Sequence, residues 1–481
     1  MPECASCVRR QRRCQYPKES GISNEKSLPI SPEDISLGID GYFEHLYPLP
    51  SYAFLHEQTV RQQNHESALE PTLALSIAAV VKLLLSNQDQ SDLVTRAEAM
   101  VWEHIERPSI VKLQSLLLII HYHIHKGQFA RAYMLAGLAA RGATALRLNY
   151  ERPELDPIAQ ETRRRVLWAL TFIDGQFSVG LPEYETIPHT IIYQQLPLSE
   201  DTFNGSPQKE TQLSLLGGCV RISKIQKDIM RLTRQLALSE QPFTQLNGLV
   251  LEIQRDLWRL QAEIEISCGY SVCRPYELEK SRWFPRYLQI SISWHQAHCD
   301  LYRLFLVGYP EAAPRIILEA IDADVKDHAA RQCLEHVTQA NEMFFGLLDI
   351  PKLVLPHYIA ICAYQTTRLM LFLSSSPDLS LELSMAEVVQ KAHAVVAVTH
   401  KYFSSPSTKE LVLDLQRIVQ VAKDDPRMIY SELCHSPSDQ GVHRHNHLAI
   451  HSLVRQAHFA DDGYGDIDSL ERQSRPGQAT Q

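Results

Sequence analysis

From about residue 41 to about residue 430, apolar positions recur at three- and four-residue spacing, and no alternating run bounded by hairpin turns interrupts them. The pattern predicts an all-α body. QSLLLIIHYHIHK, Gln114 to Lys126, is apolar on most sides and stops at Gly127, while FARAYMLAGLAARGATALRL, Phe129 to Leu148, sets Ala, Gly and Leu at helical spacing. Small residues let a neighbouring helix come close, so the two segments are expected to form an antiparallel pair at the core. ETRRRVLWALTFID, Glu161 to Asp174, gathers Val166, Leu167, Leu170 and Ile173 on one face. This helix is expected to end at Gly175, ahead of a Pro-rich stretch, Leu181 to Pro197, that cannot be regular helix. In LNGLVLEIQRDLWRLQAEI, the residues Leu246, Val250, Ile253, Leu257, Leu260 and Ile264 form a heptad seam of under three repeats. A seam that short reads as packing within the body rather than as a coiled coil.

The flanks lack such periods. KESGISNEKSLPISPEDISLGID, Lys18 to Asp40, is rich in Ser, Pro, Glu and Gly and reads as a linker. Beyond Arg427 the pattern dissolves, and a tail follows in which Asp461, Asp462, Asp466 and Asp468 surround Phe459, Tyr464, Ile467 and Leu470. Interleaved acidic and apolar residues can serve as an activation segment, although a plain solvated terminus is the reading composition favours. The expected organisation is a short head over residues 1–17, a flexible linker over 18–40, a multi-helix domain over 41–430 and a disordered acidic tail over 431–481.

Composition agrees with a globular chain: 481 residues, 44% hydrophobic and 21% charged. The longest apolar stretch, Leu73 to Leu85, contains Lys82 and is shorter than the ~20 residues a membrane crossing needs, so no transmembrane helix is expected. The first residues are polar and basic, without the apolar region of a secretory signal, which points to a reducing compartment. In that setting most of the ten cysteines are expected to be buried thiols. Charge is unevenly spread. The first twenty residues carry five basic and two acidic side chains, net +3, which leaves −12 on the rest of a −9 chain. An acidic body repels nucleic acid, so any phosphate contact must come from the head.

That head contains CASCVRRQRRC, with Cys4, Cys7 and Cys14 around Arg9, Arg10, Arg12 and Arg13. Nearby arginines lower a cysteine pKa, and a C-x2-C turn lets two thiolates grip one zinc ion. The six residues before Cys14 allow a short helix whose arginines project towards DNA phosphates. A tetrahedral zinc nevertheless needs four ligands, and three are present here. CASCVRRQRRCQYP resembles the second half of the fungal binuclear zinc cluster, in which two C-x2-C-x6-C halves share two zinc ions through six cysteines. The resemblance implies that Cys4, Cys7 and Cys14 are three of six metal ligands and that the four arginines contact the DNA backbone. The first half, which carries the base-reading helix, has no counterpart in the sequence. Either the sequence as given starts too late, which the in-register C-x2-C-x6-C favours, or the protein works as a partner or inhibitor of a complete regulator.

The body carries the same resemblance more broadly. GYFEHLYPLPSYAFLHEQTV (Gly41 to Val60), the Phe129 to Leu148 segment, Glu161 to Pro197 and WHQAHCDLYRLFL (Trp294 to Leu306) are similar to successive blocks of the fungal transcription factor regulatory domain. The resemblance implies a nuclear protein that regulates RNA polymerase II transcription, with DNA and the transcription machinery as partners. It also admits a homodimer and a small-molecule effector. The alternative is a helical ligand-binding or scaffold protein with no autonomous DNA binding.

Trp168, Phe43, Tyr47, Tyr52 and Phe54 are expected to be core aromatics, and Asp174 to cap a helix or pair with an arginine such as Arg164. Three histidine groups could suggest other chemistry: His121, His123 and His125; His443, His445 and His447; and Trp294 with His295, His298 and Cys299. Adjacent His298 and Cys299 diverge on a helix, and no acidic ligand accompanies His121 and His125. Packing is the expected role. Phosphate-loop, dinucleotide and nucleophile-elbow motifs are missing, and no enzyme is expected.

Overall fold

The computed structural model describes residues 30–206, 212–239, 241–351, 353–376, 384–434, 452–457 and 459, and among these there are helices and turns but no strand. The first helices are α1 (Pro32–Gly41), α2 (Glu57–His65), α3 (Pro71–Ser86), α4 (Ser91–Glu103), α5 (Ile110–His125), α6 (Phe129–Ala145) and α7 (Pro157–Ser178). A short α8 (Glu200–Phe203) precedes α9 (Leu215–Ala237), α10 (Leu246–Cys268), α11 (Phe284–Tyr302), a short α12 (Arg315–Leu318) and α13 (Ala323–Gly346). The series closes with α14 (His357–Ser375), α15 (Met385–Tyr402), α16 (Pro406–Asp424), α17 (Met428–Cys434) and α18 (Leu453–Gln456). None of the helices among the described residues is long and apolar enough to cross a membrane.

Two of the expected boundaries move. Pro32–Gly41, read as part of a linker, is a helix: Ser31 caps it by accepting from the Asp34 amide at 3.1 Å, with Pro32 in its first turn. Its only apolar face is short, which hides the period, yet Ile35 and Ile39 are buried against α3. Gly38 makes that approach possible, since a Cβ there would meet Ala78 Cα at 3.2 Å. Near the other end, Leu453 of α18 is fully buried in the same core and the Ser452 hydroxyl donates to Phe177 O at 2.8 Å, so part of the expected tail packs on the body.

The expected pair forms as α5 against α6, with Ala132, Ala136, Ala139, Ala140 and Ala143 buried along α6. Helix α7 starts under Asp156, whose side chain accepts from the amides of Ile158 and Ala159, and passes Gly175 to end only at Ser178. It stops because Val179 and Gly180 take up left-handed backbone, with φ of 46° and 78°. The buried side chains divide into two clusters. The first is built from α1 to α7 and the turns between Tyr42 and Leu55; the second is built from α9 to α17. Phe172 of α7 packs against both. Phe43, Tyr47, Tyr52, Phe54 and Trp168 are buried, in agreement with expectation.

Candidate ligand site at the seam of the two cores

Cys4, Cys7, Cys14, Arg9, Arg10, Arg12 and Arg13 lie outside the described residues, as do His443, His445 and His447. Among the described residues no group of three or more His, Cys, Asp or Glu side chains is placed to hold a metal ion. Cys219, Cys299, Cys333 and Cys362 are buried free thiols. Burial pushes Cys219 up to about 12 and Cys299 well above the ordinary thiol range, so both are neutral thiols near pH 7.

Where the two cores meet, a charge network crosses the seam. Arg286 of α11 donates from Nε to Pro48 O at 2.8 Å and from Nη2 to Tyr47 O at 2.9 Å, and it pairs with Glu200. Arg165 of α7 reaches Glu200 at 2.8 Å and Glu161 at 2.7 Å, and the Tyr47 hydroxyl donates to Glu200 at 2.6 Å. Burial alone raises the Glu200 carboxyl, but Arg165, Arg286 and the Tyr47 bond outweigh it and bring the group down to about 2. Arg164, expected beside Asp174, pairs instead with Glu151 at 2.8 Å and Glu161 at 3.2 Å. Asp174 accepts from the Thr186 amide at 3.0 Å and from the Thr186 hydroxyl.

The same seam holds a cavity of about 130 Å³. The first core closes it with Pro50 and Ser51, the end of α7 with Phe172 and Gly175, and α9, α11 and α14 complete the wall. Helix α9 contributes Cys219, Ile222, Ser223, Gln226, Lys227 and Met230, one stripe at three- and four-residue spacing. Part of the polar lining is satisfied internally. Gln226 donates to Ser293 O at 3.2 Å and to the Tyr358 hydroxyl at 2.5 Å, and Gln296 donates to Asp300 at 2.8 Å and to Gln365 at 2.9 Å.

Other lining groups are not satisfied. Lys227 is 4% exposed, and its ammonium makes no hydrogen bond among the described residues. Its carboxylate neighbour, Glu185, stands at 3.5 Å and is also held by Arg231 at 2.7 Å. Gln289 Oε1 and both ring nitrogens of His357 are likewise buried without a partner among the described residues. Burial brings His357 down to about 4, so the ring is neutral at pH 7 and offers one donor and one acceptor. Such groups are costly to bury unpaired, and several facing one cavity mark a place where a guest can complete them. Sequence reasoning missed Lys227, Gln289 and His357. The available signal was polar residues at positions 223, 226 and 227 on the buried stripe of an amphipathic helix.

Among the described residues, the histidines singled out from the sequence are packed side chains. His121 stacks on Tyr52 with ring centres 4.0 Å apart and contacts Ser51 O at 3.2 Å, while His125 lies 3.3 Å from the Tyr52 hydroxyl. His123 pairs with the buried Glu98. His295 meets His336 at 3.0 Å between Nδ1 atoms, and His298 stacks on His336 at 4.1 Å. Burial lowers both rings, so near pH 7 they are neutral, and one Nδ1 carries the proton that the other, in the opposite tautomer, accepts. The Cys299 thiol takes no part in this group.

The fold defines a class: an all-helical body of two cores with a small cavity of mixed lining between them. Comparison with known proteins gives the class a family relation. Residues 39–267 match the fungal specific transcription factor domain, just under half of the chain. A Zn(2)-C6 fungal-type transcription factor, FTF1c of Fusarium oxysporum f. sp. lycopersici, is 25% identical over 221 residues, covering 41% of this chain and 24% of that protein. Transcription factor AN6788 of Emericella nidulans is 25% identical over 241 residues, covering 47% of this chain and 36% of its own length. The matched regions thus span about a third or less of those relatives. These matches support a fungal transcription factor, and the matched family is non-enzymatic.

Proposed function

We propose that this chain regulates RNA polymerase II transcription in the fungal nucleus, contacting DNA through its basic cysteine head while the helical body serves as the regulatory part. The observation that carries the reading is the transcription factor domain matched over residues 39–267, which takes in nearly all of the first core together with α9 and α10. Cys4, Cys7 and Cys14 would supply three zinc thiolates, and Arg9, Arg10, Arg12 and Arg13 would neutralise phosphates. A homodimer and contacts with the transcription machinery accompany this reading. Fluorescence anisotropy with duplex DNA and zinc tests it: four phosphate contacts give a log–log salt slope of roughly −3 to −4, and replacing the four arginines by alanine abolishes it. Absence of binding by the chain with zinc supplied transfers the function to the second reading, a helical ligand-binding or scaffold partner without autonomous DNA binding. The seam cavity favours that alternative specifically.

A further inference from the structure

We propose that the outer face of α6 is a docking groove for this chain's own acidic tail, residues 460–470, which sets out from α18 beside that face. Helix α18 fixes the starting point. Ser452 and Leu453 are fully buried, α18 lies against α6 and α7, and the Phe459 ring meets Tyr133 of α6 with centres 5.5 Å apart. The next side chain along α6, Met134, is 66% exposed. Helical spacing puts Met134, Gly137, Leu138 and Arg141 on one side of α6, opposite its buried alanines. A Cβ at Gly137 would meet nothing within 4 Å, so the middle of this face is open.

Charge selects the occupant. Helix α6 carries Arg131 and Arg141 and no acidic residue. Arg131 is held on one edge by Glu98, whereas Arg141 is exposed and forms no ion pair among the described residues. The tail offers the counterpart, with Asp461, Asp462, Asp466 and Asp468 interleaved with Tyr464, Ile467 and Leu470. Its apolar side chains can cover Met134 and Leu138 while a carboxylate meets Arg141, a charge-assisted contact. Length permits this. From Tyr133 to Arg141 the helix rises about 12 Å, and the chain from residue 460 to 466 reaches up to about 23 Å. Docking withholds Tyr464, Ile467 and Leu470 from any other partner of the tail, and it does so whether or not the head binds DNA.

The test uses the full chain with the photoreactive residue p-benzoylphenylalanine in place of Tyr464, and mass spectrometry locates the cross-link. The expected attachment is to α6 between Met134 and Arg141, within one chain when light and isotopically heavy copies are mixed. Tethering alone brings the tail near α6, so specificity is read from two changes at exposed positions that the body tolerates. Arg141→Glu reverses the charge, and Gly137→Gln fills the open space without meeting a neighbour. Each should lower the cross-link yield by about 3-fold or more, and salt at about 0.5 M should do the same to the unsubstituted face. Melting temperatures no lower than that of the parent chain show that both bodies are intact. Chymotryptic cleavage after Tyr464 and Leu470 of the otherwise unmodified chain should be about 3-fold faster in Arg141→Glu. A yield that either variant leaves unchanged, a cross-link outside α6, or one formed only between light and heavy copies overturns the docking.

Discussion

Arg286 is 1% exposed, and its guanidinium is surrounded by the carbonyls of Tyr47 and Pro48 and by the Glu200 carboxylate. A planar fork can serve three directions at once, which a lysine cannot. Removing it leaves two carbonyls without their donor and half of the charge that holds Glu200 ionised. Arg286→Met is expected to cost about 3–5 kcal/mol in urea unfolding, the range for breaking a buried ion pair from one side. A loss under about 1 kcal/mol would show that solvent replaces the guanidinium and that the seam opens more readily than its burial implies. At this scale the sequence was legible for aromatic burial and illegible for ionic partnership. Phe43 and Tyr47 announce a core by type alone, whereas Glu200 and Arg286 are 86 residues apart and no local pattern joins them. The same holds for Lys227 and its carboxylate neighbour Glu185, which stand 3.5 Å apart but come from different elements of the chain.

Helices were the most legible level, because a three- and four-residue period is a local property. The seam of α10 illustrates this: Leu246, Val250, Leu257, Leu260 and Ile264 are buried, and they pack in the second core, where α9 and α11 are neighbours of α10. Trp258 on the opposite face is 56% exposed. If the seam works inside the body rather than between chains, Leu257→Ala should cost about 2–5 kcal/mol in chemical denaturation, independent of protein concentration. Trp258→Ala should stay within about 0.5 kcal/mol. A midpoint for Leu257→Ala that shifts with concentration would place the seam between two copies. Boundaries were less legible than periods. Gly175 looked like a stop, yet a glycine inside a helix costs only about 1 kcal/mol, and α7 runs on to Ser178. The Pro32–Gly41 helix escaped notice because its short apolar face means little until α3 is set against it.

For the molecule as a whole, the all-helical class was legible from composition and period, but the division into two cores was not, since nothing local marks which helices join which cluster. That division has a measurable consequence through the histidines it buries. Burial brings His121, His336 and His357 down to about 4 and His125, His189 and His295 to about 3, all of them neutral in the folded state near pH 7. In the unfolded chain each returns to about 6.5. Between these values the unfolded state binds more protons than the folded one, so stability is full above pH 6.5 and falls as pH drops towards the folded pKa values. Glu200, held at about 2, adds a loss of the same sign only below about pH 4.5. Asp174 and Asp300, which burial raises, act in the opposite sense and temper the slope in the acid range. At pH 5.5 each of the six histidines should cost about 1.4 kcal/mol relative to pH 7.5, enough together to bring a marginally stable body close to its unfolding transition. Urea midpoints measured from pH 7.5 to 5.5 should therefore fall, with more than one proton taken up on unfolding. His336→Leu, which removes one of these groups from the packed cluster with His295 and His298, should reduce that uptake by about one proton even where it lowers stability at pH 7.5. Midpoints that stay level across this range would mean that the seam and the second core admit enough water to charge their histidines in place.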